Sequence, residues 1–498
     1  MAMIDVSGLL WFSILLPIAI ALPVYYLAIR NVKACVAVIV LSLLPMLYFS
    51  LYSLATNTVL IDKALTFTIS IYGYEYEFPG KILLMPFNAL FAFTICLVGI
   101  LVVIFSIPYM IHRAEELNFS LSIFYLTYPI YIITMAGVVT ATNLLMIYLF
   151  FELSLISSFF QILYYGYGDR VRIAFMYLVW THIGTVLMLI GFVMMILYGH
   201  VIDAPLYTGY APTFNNTTLA MVLILIGLLI KMAALGVHMW LPYVHAEAPT
   251  PLSALLSPVF VGLGGYVIIA IILPYGFIAK WKNILMAYAI ATALYGAFTA
   301  LVQKDIKRLL AYSTISQMGY MLLAISTANA WGLVGAGLHY IAHGLGKAIL
   351  FMSAGYLILF LHTRDITKLG GLYAYHAPLA ISSIIGFLNL VGILTIGMIA
   401  EITIIVAFAK SVPLWNFGYV LGLVAMLVAT AVYAFYTIKV IFFGPPKVRE
   451  MPVRDGKYYL TLVPIALTAF LSILLLVPPF SSIVWENMFT AINTFIRW

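Results

Sequence analysis

Long apolar runs dominate the chain, and short polar stretches separate them. A helix needs about 20 mostly apolar residues to cross a bilayer. Runs of that size lie at 6–28, 34–54, 84–110, 121–140, 143–165, 173–198, 217–243 and 250–274, then at 284–302, 309–327, 331–361, 378–409, 414–443 and 459–480. The pattern predicts an all-α polytopic membrane protein with about fourteen transmembrane helices. Two of the stretches are too long for one simple span. Residues 217–249 would reach about 50 Å as an unbroken helix, and they contain Gly236 and Pro242. Residues 378–410 are equally long and hold Gly392 and Gly397. Irregular backbone at membrane depth is tolerated only where protein buries it or where it lines a wet cavity. Both spans, the seventh and the twelfth, are therefore expected to be broken helices. Their separation by five, an odd number, predicts two inverted five-helix repeats, spans 4–8 and 9–13. The implied organisation is an N-terminal three-helix segment (1–120), a first repeat (121–275), a second repeat (276–443), and a last helix with a short tail (444–498). The tail is expected to form only a turn or two of surface helix.

Composition agrees and removes other classes. Of 498 residues, 65% are hydrophobic and 8% charged, too little charge to cover a water-exposed surface. A net charge of +7 would point to nucleic acid in a soluble protein. Here the loops after odd-numbered spans carry 14 Lys and Arg against 6 on the other side. The positive-inside rule places the richer side in the cytoplasm and both termini outside. Cys35 and Cys96 lie in apolar runs and imply neither a disulfide framework nor a metal site. The first residues lack the basic start of a cleavable signal. Nothing reads as a redox centre, a nucleotide loop or a hydrolase site, so no cofactor is expected in this chain and any energy source lies outside it.

Buried charge is where the chemistry concentrates. Glu152, Lys231, Lys347 and Glu401 fall inside apolar spans, where an ionised group costs on the order of 2.5–3.5 kcal/mol. Two acids and two bases sum to zero, so mutual pairing is one explanation. Stability alone, however, is served as well by apolar residues. A carboxylate balanced between burial and a nearby ammonium exchanges protons readily, which makes Glu152 with Lys231 a candidate pair. His339, His343 and Lys347 are spaced by four and share one helical face about 6 Å apart, a distance that water can bridge. Glu401 follows the glycines of span 12. Lys231 and Glu401, on the two broken spans, are expected to be counterparts in the two repeats. His238 and His245 are secondary candidates, while His182 reads as a core or interhelical residue and Asn389 as a hydrogen bond at a helix distortion.

The stretch Lys231–Ser257 (KMAALGVHMWLPYVHAEAPTPLSALLS), with Phe151-Glu152, Lys304–Met321 and His343–Tyr356, resembles the signature of the proton-translocating antiporter-like subunits. That family includes membrane subunits of respiratory complex I, Mrp-type sodium/proton antiporters and energy-converting membrane-bound hydrogenases. The resemblance covers roughly residues 120–440. It implies fourteen helices, two inverted repeats and a hydrophilic axis across the membrane's middle. Glu152 and Lys231 would form its input pair, Lys347, His339 and His343 its centre, and Glu401 its end. Two departures stand out. Span 8 (Ser257–Gly264) lacks the Lys or His of many relatives, which shifts the burden to Lys347 and water, and the span 12 break has glycines where prolines are usual. The span 8 pattern is nearer to the hydrogenase and sulfur-reductase branch. The implied function is a non-catalytic, proton-translocating subunit of a redox-driven complex. Partners would be further antiporter-like subunits, together with a peripheral arm carrying iron–sulfur clusters and a metal active site. The implied setting is a prokaryotic plasma membrane, and only three glutamines (161, 303 and 317) point to a thermophilic archaeon. The rival readings are an Mrp-type antiporter subunit, with sodium moved by partners, and a membrane scaffold with no ion path.

Overall fold

The computed structural model describes residues 2–71, 74–413, 416–448 and 453–495. Among the described residues thirteen helices are long and apolar enough to cross a membrane, and a fourteenth is divided. In chain order they are α1 (Leu9–Arg30), α2 (Val32–Thr56), α3 (Pro86–Leu117), α4 (Ser122–Thr140), α5 (Leu144–Tyr165) and α6 (Arg170–Gly199). The divided α7 follows as α7a (Thr217–Lys231) and α7b (Trp240–Glu247). Next come α8 (Thr250–Tyr275), α9 (Phe277–Leu301), α10 (Ile306–Ser326) and α11 (Ala330–Leu361). The chain continues through α12 (Ala377–Ser411), α13 (Phe417–Phe442) and α14 (Gly456–Leu474). Each apolar run of the sequence corresponds to one span, two of them divided, with ends moved by a few residues.

Both expected breaks are present. The first occupies the residues between Lys231 and Trp240, where Ala233 and Gly236 take positive φ. Pro242 does not make this break. It lies in the first turn of α7b, where a missing N–H costs little. The second divides α12 into α12a (Ala377–Val391) and α12b (Ile396–Ser411), with Gly392 and Leu394 at positive φ. Gly397 likewise falls just inside the second half-helix. Its amide donates to Asn389 Oδ1 at 3.0 Å, while Asn389 Nδ2 donates to the Ala342 carbonyl at 2.8 Å, so Asn389 laces the break to α11.

Hydrogen bonds record the internal repeat. Before α5, Leu144 N donates to Ile202 O and Ala204 N to Thr142 O. Before α10, Ile306 N donates to Arg364 O and Ile366 N to Lys304 O. Every residue of the second set lies 162 positions after its counterpart in the first. The two sets close α5 onto the end of α6 and α10 onto the end of α11. Because five spans intervene, they lie on opposite sides of the membrane.

The bundle has a clear centre. Helix α8 is buried along its whole length and α10 nearly so, whereas α1, α6 and α13 turn large apolar faces outward. Between α6 and α7a the backbones come close, since a Cβ on Gly227 would land on the Gly184 carbonyl.

Hydropathy left two elements unannounced. The segment between α2 and α3 forms a sheet in which β1 (Ala2–Asp5) runs parallel to β2 (Thr58–Ile71), and β2 antiparallel to β3 (Tyr74–Leu84). Asp62 of β2 is buried and accepts from the amides of Leu10 and Trp11 at 3.0 and 3.2 Å, which caps the start of α1. At the other end, α15 (Phe480–Phe495) is a full helix packed on α11, α3 and α2. The expected turn or two of surface helix is thus too short. Met488, Ala491 and Ile492 supply a buried face at helical spacing.

Candidate functional site

The ionisable groups expected from the sequence lie on spans packed within the bundle, but not with the pairings expected. Glu152, on α5, accepts from Thr185 Oγ1 and meets His182 Nδ1 at 3.1 Å, both on α6. His182 is half exposed on the bundle's flank. Of the two readings the sequence left open, core or interhelical, it is the interhelical one, joining α6 to Glu152 of α5.

Lys231 makes no such contact. No ion pair joins it to Glu152 among the described residues, and its buried Nζ has no hydrogen-bond partner. It lies 5.2 Å from the ring centre of Phe151 and 5.3 Å from that of Phe260, whose quadrupoles favour a cation. It is also the last residue of α7a, where the negative end of the helix dipole supports an ammonium. At the break the Ile230 carbonyl accepts from the Ala233 amide at 3.1 Å and from Trp240 Nε1 at 2.9 Å.

In the centre, Lys347 is fully buried and donates to Ser313 Oγ at 2.5 Å and to the Leu310 carbonyl at 3.0 Å, both on α10. His343 and His339 follow on α11, ring centres 6.1 Å apart and nearly parallel. His339 Nε2 lies 3.0 Å from the Gln317 carbonyl, and the His343 ring faces the Pro258 carbonyl in the distorted part of α8. Helix α8 has no ionisable group here, as the sequence showed. It contributes a π-helical turn, Leu256–Phe260, the kind of distortion that recurs at functional sites. There Ser257 Oγ meets Thr314 Oγ1 at 2.6 Å and the Val259 carbonyl accepts from Tyr340 at 2.8 Å.

Glu401 lies in α12b, after the break, whereas Lys231 ends α7a, before its break. The two are therefore not positional counterparts in the repeat. The Glu401 carboxyl packs against Gly392, so closely that a Cβ there would collide with it. Gly392→Ala also has to hold φ at +70, a conformation that costs an L side chain roughly 1–2 kcal/mol. The expected result is an earlier thermal inactivation of the detergent-solubilised protein and a displaced Glu401, measured against wild type in a melting series.

The secondary histidines divide. His238, within the first break, meets Tyr295 Oη of α9 at 2.9 Å through Nε2. His245, in α7b, is fully buried with neither nitrogen partnered. Together with Lys231, Ser253 and Ser316 it belongs to a set of buried polar side chains without protein partners. Such groups are costly unless water completes them.

Lys307 belongs to the basic loops after odd-numbered spans. It is fully buried, and its Nζ donates to the carbonyls of Ala248 and Ala246 at 2.5 and 3.5 Å.

Residues 141–434 match the family model described as NADH:quinone oxidoreductase/Mrp antiporter, transmembrane. The chain is 32% identical over 340 residues to F(420)H(2) dehydrogenase subunit M of Methanosarcina mazei, covering 64% of this chain and 66% of that one. It is 30% identical over 396 residues to an Na(+)/H(+) antiporter subunit of Alkalihalophilus pseudofirmus, covering 76% of this chain and 48% of that one. The match thus spans about two thirds of the length of the first relative and about half of the second. In fold, a chain of the membrane-bound sulfane sulfur reductase, an archaeal respiratory membrane complex, superposes with a TM-score of 0.79 at 23% identity, covering 98% of each chain.

Proposed function

The chain belongs to the NADH:quinone oxidoreductase/Mrp antiporter membrane family, and on that premise we propose that it is the proton-translocating subunit of a redox-driven, ion-pumping membrane complex. One observation carries the reading. The two broken helices each place one charge beside the break, Lys231 at the end of α7a and Glu401 in α12b, and Glu152, Lys347, His343 and His339 lie on spans of the same bundle. Half-helix ends and unwound backbone at mid-membrane are how inverted-repeat transporters build an ion site.

In this reading Glu152 takes up and releases protons on the α5–α6 flank, held by His182 and Thr185. Lys231 responds to the charge on Glu152. Its ammonium has no protein hydrogen bond, so it is held by a balance of through-space attraction and burial that one proton can tip. Lys347 receives the proton through water and passes it along the His343–His339 face toward Glu401. Residues 121–275 and 276–443 are the two repeats, and the basic ends of the odd-numbered spans face the cytoplasm, with both termini outside.

The energy comes from elsewhere in the assembly. Further antiporter-like subunits lie beside this one in the plasma membrane of a prokaryote, and a peripheral arm carries the iron–sulfur clusters and metal active site. The similarity to an Na(+)/H(+) antiporter protein keeps sodium exchange as the second reading. Reconstituting the intact complex and driving its redox reaction in sodium-free buffer separates the two. Proton movement is expected to persist without sodium and to leave sodium undisplaced when it is added. Strict sodium dependence would replace the proposal with the antiporter reading.

A further inference from the structure

On the basic side of the bundle, where α5, α7b and α11 end, a cleft of about 400 Å³ opens between Tyr167, Gly168, Glu247, His362, Thr363 and Arg364. Charge frames it. Arg364 bonds Asp305 at 2.7 Å and the Ala246 carbonyl at 2.7 Å, and lies 3.9 Å from Glu247. Arg113 caps the end of α5 through the carbonyls of Tyr165 and Gly166 at 3.1 and 2.5 Å, with its guanidinium 3.7 Å from the Tyr167 ring centre.

A line of hydroxyls leads inward from the cleft wall. Tyr167 Oη lies 2.7 Å from Tyr109 Oη on α3, and Thr250 Oγ1 on α8 donates to the same Tyr109 oxygen at 2.9 Å. Tyr109 and Thr250 are buried. Thr250 packs where a Cβ on Gly355 of α11 would touch its methyl at 2.9 Å. One turn deeper on α11, about 6 Å along the axis, Phe351 stacks on His245, ring centres 4.8 Å apart. His245 is the buried imidazole with both nitrogens unpartnered, and Lys347 lies a further turn along α11. The levels therefore run cleft, Thr250, His245, Lys347.

We propose that the Tyr167–Tyr109–Thr250 hydroxyl chain is the port by which protons pass between the basic-side cleft and the buried ionisable groups, with His245 as its inner receiver. This rests on the proton-translocating reading and adds the route of entry. Entry begins with a proton from cleft water, gathered beside Glu247, binding Tyr167 Oη. Tyr167 gives its own phenolic proton to Tyr109, Tyr109 gives its own to Thr250 Oγ1, and Thr250 passes its own through water to His245. One proton enters, one leaves the inner end, and no hydroxyl keeps a charge. Each hydroxyl then rotates about its C–O bond to reset. Every oxygen in the chain is within hydrogen-bond distance of the next, and the Thr250-to-Tyr109 bond is the orientation that one inward transfer leaves, so the Thr250 hydroxyl turns inward before the next proton passes.

The test uses the intact complex in vesicles with its redox reaction running, and compares Tyr109→Phe, Thr250→Val and Thr250→Ser with Lys231→Met. The expected result is that Tyr109→Phe and Thr250→Val lower proton uptake about fivefold or more at unchanged assembly. Thr250→Ser, which keeps the hydroxyl, should stay near wild type. A merely structural hydroxyl cluster would not show that rescue. If Lys231→Met stops uptake and Tyr109→Phe does not, the port is elsewhere and the proton reading stands. If neither matters, the proton reading itself falls. A second measurement does not depend on losing a hydrogen bond. Thr363→Cys, labelled with a bulky membrane-impermeant thiol reagent from the basic side, should block uptake. The native Cys35 and Cys96 are buried and give little background. Complete labelling with undiminished uptake would overturn the port.

Discussion

Lys231→Met is expected to lower proton uptake by the reconstituted complex about tenfold or more, while the complex assembles and its redox reaction still turns over. Methionine has similar length and no charge. Since Lys231 Nζ donates to no protein group and sits between the Phe151 and Phe260 rings, the substitution breaks no protein hydrogen bond. Replacing a buried charge with an apolar side chain of similar volume is often neutral or stabilising. Stability should therefore hold or rise as transport falls, and that divergence separates a working ammonium from a structural one. Vesicle acidification and the melting temperature of the purified complex read the two quantities independently. Uptake at the wild-type rate would show that Lys231 lies off the path, and it would favour the scaffold reading.

Glu152→Gln carries the second large effect, again about tenfold or more on uptake, for the opposite chemical reason. Glutamine keeps the shape and can still accept from Thr185 Oγ1 and face His182 Nδ1, the two partners the carboxylate has. What it loses is the ability to change charge, and with it the through-space action on Lys231. Glu152→Asp shortens the side chain but keeps the titration, so it should retain part of the activity. His182→Ala should fall between wild type and Glu152→Gln, because it removes one hydrogen-bond partner and leaves the carboxylate. Equal uptake in Glu152→Gln and wild type would remove Glu152 from the path whatever its position.

How much of this could be read from the chain follows from the physics of each feature. The fourteen runs became fourteen helices, divided α7 included, because bilayer thickness fixes how long an apolar segment must be. The breaks in α7 and α12 were legible as excess length together with Gly236 and Gly392. Pro242 and Gly397 drew attention for the same reason but ended up inside the half-helices, since a proline or glycine is tolerated in a first turn. The β1–β2–β3 sheet escaped because a hairpin in a loop leaves no mark on a membrane-hydropathy scan. Lys307 follows a span directly in sequence yet is buried, because the α7b–α8 turn folds over it, and sequence does not record that fold.

Sequence by itself determined which residues are costly enough to matter. A charge inside an apolar run has a price set locally by the surrounding solvent, so Glu152, Lys231, Lys347 and Glu401 stand out without a structure. Only the tertiary structure decided who meets whom. The partners of Glu152 are His182 and Thr185, some thirty residues away on the next helix. Lys231 faces two aromatic rings, and Lys347 reaches a serine and a carbonyl on α10. Those contacts depend on how each helix is rotated and how closely it approaches its neighbour, as at Gly184 and Gly227. Rotation and approach are properties of packed pairs, and a single span's sequence does not contain them.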